Sequence, residues 1–215
     1  MQNMKDKIDI NKIDKKTVLH DKDIREPLFE FLEELYEKMR IIEEKQMGKS
    51  RADIVMILPK CIVGIEIKSD ADTYARLARQ VKDYDMYFDY NYVVVGSRHG
   101  THIKEHVPPW WGIISVELVD QKVDFYVMRQ AQINPNRDMK RKISLLWRPE
   151  LAHIQKINGM PRYPQKSKAF VADKILAAVP EETLHKQISD ELFERDYTMI
   201  EHTIRDYKKA KNKLI

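Results

Sequence analysis

The sequence predicts an α/β fold: a mixed β-sheet core flanked by helices. Three observations carry this prediction. Short β-like apolar segments, ADIVMIL, CIVGIEI and NYVVVGS, succeed one another. A helical stretch, DADTYARLARQVKDYDMYFDY, separates the second from the third, so a crossover joins parallel strands. From about residue 140 the pattern turns helical to the end of the chain.

In chain order, residues 1–20 read as a polar N-terminal arm. Asp23 opens a helix in which Ile24, Leu28, Phe31, Leu32 and Leu35 share one face, with Pro27 in its first turn. The strands and crossover follow, and Leu77, Val81 and Tyr84 line one face of the crossover helix. VPPWWGIISVEL and KVDFYVM supply further strands. Asn134-Pro135-Asn136 marks a boundary. The expected organisation is thus an arm (1–20), a core (21–133) and a basic helical C-terminal extension (134–215). The extension contains ISLLWRPELAHIQKI, KAFVADKILAAV and EETLHKQISDELFERDYTMIEHTIRDYKKAK.

Of the 215 residues, 43% are hydrophobic and 33% charged, which suits a globular chain rather than a disordered one. A lone cysteine, Cys61, excludes an intrachain disulfide framework and a cysteine zinc cluster. No segment approaches the roughly 20 apolar residues of a membrane span, and the first residues have no signal-peptide run. A cytoplasmic location without membrane attachment is expected. Between Arg129 and Lys168, ten basic residues face only Asp138 and Glu150. Such a block either tracks a phosphate backbone or forms a solvated charged face.

The chemistry concentrates in SRADIVMILPKCIVGIEIKSD. Alternation puts Glu66 and Lys68 on one face of their strand and Ile65 and Ile67 on the other. With a two-residue turn at Pro59-Lys60, Leu58 opposes Cys61, Met56 opposes Val63 and Asp53 opposes Glu66. Opposed carboxylates repel unless a cation sits between them, and a hard divalent ion with oxygen ligands fills that role. An acidic residue two before a lysine also occurs at Asp14, Glu43, Asp120, Asp138 and Asp206. The copy at Glu66 differs in lying within an apolar strand, with an aspartate one strand upstream.

Asp53 followed across a hairpin by Glu66-Ile67-Lys68 resembles the motif of the PD-(D/E)xK nuclease superfamily, with Ala52 where the name has Pro. GIEIKSDADTYARLARQVKDY, YVVVGSRH, VPPWWGI and LLWRPEL resemble a PD-(D/E)xK family found in bacterial genomes and prophages. This likeness covers roughly residues 20–200. It implies a restriction-endonuclease-like core, a phage or mobile-element setting, and Mg²⁺ or Mn²⁺ held by Asp53, Glu66 and the Ile67 carbonyl. It also implies that Lys68 orients the attacking water and offsets charge on the phosphate.

Glu26 either joins the metal from the first helix or caps that helix with Asp23; Glu30 and Glu44 are weaker candidates for the same role. Gln80 and Tyr84, four apart with Arg76 a turn earlier, resemble the Gln-x-x-x-Tyr motif of RecB-type nucleases, which supports the site and contacts DNA. A tyrosine packed on the sheet explains Tyr84 equally well. His102 and His106 have helical metal-ligand spacing but no evident third ligand, and His99 follows a strand end near which phosphate could lie. Trp110 and Trp111 either stack on bases or fill the core. Trp147 reads as core, while Arg141, Lys142 and Arg148 are candidate phosphate contacts. These residues point to a metal-dependent deoxyribonuclease. The alternatives are a non-catalytic nucleic-acid-binding or assembly module of the same fold and, third, a protein-binding partner acting through its C-terminal helices. A homodimer is compatible with each.

Overall fold

The hairpin that carries the acidic residues forms in the expected register. In the computed structural model, which describes residues 18–196, β2 (Ser50–Leu58) runs antiparallel to β3 (Cys61–Lys68). Leu58 pairs with Cys61, Met56 with Val63 and Ile54 with Ile65. The crossover follows through a 3-10 turn (Tyr74–Arg76) and α2 (Leu77–Tyr87), and β4 (Tyr90–Gly96) returns parallel to β3. Then β5 (Gly112–Val119) adds in parallel, and β6 (Lys122–Arg129) ends the sheet antiparallel.

A further strand, β1 (Arg40–Met47), pairs with β2 at the opposite edge. The apolar pattern does not predict it, because RIIEEKQM is a charged edge strand in which Glu43 and Glu44 are exposed. The sheet therefore has six strands in the order β1-β2-β3-β4-β5-β6, with both parallel and antiparallel pairs.

Alternation divides the apolar side chains between two layers. Ile54, Met56, Val63, Ile65, Ile67 and Val94 face α1 (Asp21–Leu35), which contributes Ile24, Leu28 and Leu32. Val55, Ile57, Ile62, Val93 and Val95 face the other way, toward α2. The C-terminal helices join this second layer: α3 (Met139–Ile143), α4 (Arg148–Ile157), α5 (Lys168–Ala178) and α6 (Glu181–Phe193). Leu151, Ile154, Val171, Ile175, Leu184 and Ile188 belong to the same apolar cluster as the sheet. The boundary at Asn134 is a buried joint, since its side-chain amide donates to the Asp85 and Phe88 carbonyls at 2.8 Å each.

Three local expectations are corrected. The first helix starts at Asp21 with His20 at its N-cap, so Asp23 sits at the third helical position and accepts the His20 N–H at 3.0 Å. The Asp23–Glu26 cap therefore does not form, and Pro27 lies in the second turn, where it removes one helical hydrogen bond. The LLWRPEL region is not one helix. Trp147 is extended and Pro149 occupies the first turn of α4, the part of a helix that tolerates proline. Finally, α6 ends at Phe193, and the remainder of that predicted helix from residue 197 lies outside the described residues, as does most of the arm. Among the described residues no helix is long and apolar enough to cross a membrane.

Candidate functional site

Residue Gly64 determines how closely α2 approaches the sheet. A Cβ there would overlap the Phe88 and Tyr84 rings, so glycine lets both lie directly on β3. Tyr84 is thereby fully buried, with its hydroxyl between the two strands. That hydroxyl donates to Glu66 Oε2 at 2.8 Å, lies 3.2 Å from the Ile65 carbonyl, and accepts the Asp53 backbone N–H at 3.2 Å. One turn earlier on α2, Gln80 Nε2 donates to Glu66 Oε1, as does Lys68 Nζ from the neighbouring position on β3.

Asp53 reaches the same place from β2. Its Oδ2 accepts the Ile67 backbone N–H at 2.8 Å, so this carboxylate bonds to the strand that carries Glu66 and Lys68. Burial, and then the nearby Glu66 charge, push its pKa up to about 7. A cavity of about 500 Å³ opens over Asp53, Glu66, Ile67, Lys68 and Gln80. The predicted quartet Asp53, Glu66, Lys68 and Gln80 is thus brought together from three elements, β2, β3 and α2.

From α1 the cavity receives Arg25 and Asp21, which sequence spacing did not single out. Arg25 Nε bonds Asp21 at 2.7 Å, and Nη1 reaches Glu43 and the Asp53 carbonyl, each at 3.2 Å. Its Nη2 reaches Glu44 at 2.8 Å and lies 3.8 Å from Asp53 Oδ1. Burial opposes the charge of this guanidinium, but Asp21, Asp53 and Glu44 outweigh that and hold it firmly protonated. The only advance signal was an arginine within the apolar-faced first helix. Asp21 is four residues away on the same helix, but Glu43, Glu44 and Asp53 are 18–28 residues away in sequence, so no local pattern reveals those three.

Other expected residues lie elsewhere. Glu26 is exposed and does not line the cavity, so the first helix offers Arg25 in its place. Arg76 is exposed and lines the cavity, and Tyr84 supports the site but is too deeply buried to touch DNA. His99 and His106 pack against Tyr74, with ring centroids 4.7 and 4.1 Å away, and His102 pairs with Glu105. Both Trp110 and Trp111 direct their indole N–H to Asp85 Oδ1, at 3.2 and 2.8 Å, and full burial removes the base-stacking reading for Trp111.

The basic block is dispersed. Lys142 is fully buried, with Nζ 2.6 Å from Asp89 and 2.7 Å from His185 Nδ1, so it is a structural cation and no phosphate contact. Arg148 bonds the Tyr163 carbonyl at 2.6 Å, away from the cavity, and Arg141 is exposed on α3. Neither lines the cavity.

The donor set suits a hard divalent ion. Among the described residues no three His, Cys, Asp or Glu side chains form a metal-holding group. Two carboxylates remain, and beside them the buried Gln80 Oε1 has no hydrogen-bond donor. Two anionic oxygens supplemented by neutral oxygens and water match the preference of hard divalent cations such as Mg²⁺, Ca²⁺ or Mn²⁺.

The family model described as bacteriophage P4 protein cII matches residues 14–213. The chain belongs to the bacteriophage P4 protein cII family. This membership points to a phage origin, in keeping with the mobile-element setting expected from the sequence. No curated protein matches the chain. Among solved structures, Pyrococcus furiosus SfsA in complex with Ca²⁺ is similar at 17% identity, over 55% of this chain and 68% of that one, with a TM-score of 0.35.

Proposed function

We propose that this cII-family chain is a divalent-metal-dependent deoxyribonuclease with a restriction-endonuclease-like core. One observation carries the reading: Asp53, Glu66, Lys68 and Gln80 converge at a single cavity, with Lys68 and Gln80 both bonded to Glu66 Oε1. Asp53 and Glu66 would hold the metal together with the Ile67 carbonyl. The bound ion would supply Lewis-acid activation of water and charge stabilisation at the phosphate. Gln80 and Tyr84 fix the orientation of the Glu66 carboxylate from the helix side. Lys68 is the cation paired with Glu66 on the same strand. Its ammonium orients a water for attack and offsets charge on the scissile phosphate.

A second reading is a nucleic-acid-binding module that keeps the fold and cuts nothing. It is favoured by the fact that both Glu66 oxygens already have protein donors. Incubating labelled single-stranded, duplex and branched DNA with Mg²⁺, Mn²⁺ or EDTA separates the two. The nuclease cuts with metal and stops in Glu66→Ala, whereas the module binds but leaves every substrate intact.

A further inference from the structure

The charges that line the cavity do not balance locally. Each carboxylate there already has a partner. Asp21 and Glu44 bond Arg25, and Glu44 also pairs with Arg51. Asp53 takes the Ile67 N–H, and Glu66 takes Lys68, Gln80 and Tyr84. Asp72 accepts both the Ser69 N–H and its hydroxyl, at 2.9 and 2.7 Å. The lining cations Arg25, Arg51 and Lys68 are spent in these pairs. Lys49, Arg76 and Arg79 are not: all three are exposed, line the cavity, and have no carboxylate partner among the described residues.

These three stand on adjoining elements. Lys49 is in the Gly48-Lys49 turn that joins β1 to β2, and Arg76 and Arg79 are at the start of α2. The turn lies against α2, since a Cβ at Gly48 would be 3.3 Å from Asp83 Oδ1, one helical turn beyond Arg79. The positive φ of 55° at Gly48 permits that tight approach. We infer that Lys49, Arg79 and Arg76 form a continuous cationic rim that grips successive phosphates of a nucleic-acid backbone and lays the strand across the cavity. This inference rests on the nuclease reading for the purpose of the rim, though not for its charge. Surplus cations in a row recognise a polyanion by its phosphates, independently of base sequence. The rim, rather than the 129–168 block, is then the nucleic-acid contact.

Binding is measured without metal, in EDTA, using the full chain and a labelled 30-bp duplex over a series of salt concentrations. Lys49→Ala/Arg76→Ala/Arg79→Ala should weaken binding about tenfold or more at 0.1 M salt and reduce the salt slope by about 2–3. All three side chains are exposed, and an unchanged thermal midpoint confirms that the variant is folded. Arg141→Ala/Arg162→Ala, exposed within the basic block, should bind like the wild type. Unchanged affinity and slope in the triple variant would overturn the inference, as would their loss in the Arg141/Arg162 variant instead. A wild-type chain that binds through the rim yet never cuts in Mg²⁺ or Mn²⁺ would uphold the rim while removing the nuclease reading. A wild-type chain that fails to bind DNA at all would overturn the rim.

Discussion

The Tyr84 hydroxyl lies 2.8 Å from Glu66 Oε2 and ties the crossover helix to the carboxylate at the centre of the cavity. The same oxygen accepts the Asp53 N–H, so a single buried phenol spans both acidic strands. Burial, followed by the Glu66 and Asp53 charges, holds its pKa well above the ordinary tyrosine value, which keeps the proton in place for donation. Tyr84→Phe removes the donor from Glu66 and the acceptor from Asp53 N–H without changing the ring. A stability loss of about 1–3 kcal/mol is expected in urea titration, accompanied by reduced cleavage. A Phe variant as stable as wild type would contradict the assigned bonds.

Asp53 makes the metal-free protein pH-sensitive. Its folded pKa of about 7 exceeds the ordinary aspartate value of 3.8, chiefly through burial. Between those two values the folded state binds more protons than the unfolded state. This residue's contribution to stability is therefore fully present below about pH 4 and is lost as pH rises through 7. Asp53→Asn should stabilise the protein by about 1–3 kcal/mol at pH 8 in EDTA and by almost nothing near pH 4. Thermal melts across pH 4–9 read this directly. A difference between the two proteins that does not vary with pH would refute the raised pKa.

Lys142 tests whether the basic block is structural. Burial alone would raise the Asp89 carboxyl, but bonds from His185 and Lys142 outweigh it and hold that carboxyl below its ordinary value. Lys142→Ala leaves the buried Asp89 short of its closest cation, at a cost of about 3–5 kcal/mol. Chemical denaturation should show that loss while the salt slope of DNA binding stays as in wild type. A reduced slope with undiminished stability would restore Lys142 as a phosphate contact.

Gly64→Ala probes the seat of α2. The added methyl meets the Phe88 and Tyr84 rings, which must move away from β3. Overpacking of this kind costs about 1–3 kcal/mol and should carry Tyr84 off Glu66. Cleavage then falls together with the thermal midpoint. Full activity at a lowered midpoint would show that Tyr84 positioning is dispensable.

The part of the site legible in the sequence is the part that obeys short periods. Two-residue alternation placed Glu66 and Lys68 on one face, and four-residue spacing put Gln80 and Tyr84 on one helix stripe. The hairpin register followed from a two-residue turn, although Pro59-Lys60 is not a favoured turn pair. Arg25 was not singled out because, apart from Asp21 four residues before it on α1, its partners come from β1 and β2 and meet it only by packing. Strand β1 was missed because an edge strand need not be apolar. The block from Arg129 to Lys168 misled for a related reason: charge density along a chain does not distinguish the buried Lys142 from the exposed Arg141 beside it. Pairing decides which cations remain free, and pairing is tertiary.

Metal-dependent cleavage by Lys68→Ala compared with wild type tests the central claim most directly. The substrate panel is run with Mg²⁺ and Mn²⁺, with EDTA as the blank and circular dichroism to confirm folding. Wild type should cut in metal and not in EDTA, and the folded Lys68→Ala chain should bind DNA but lose cleavage by at least about a hundredfold. Cleavage undiminished in that variant, or equal in EDTA, would contradict the account.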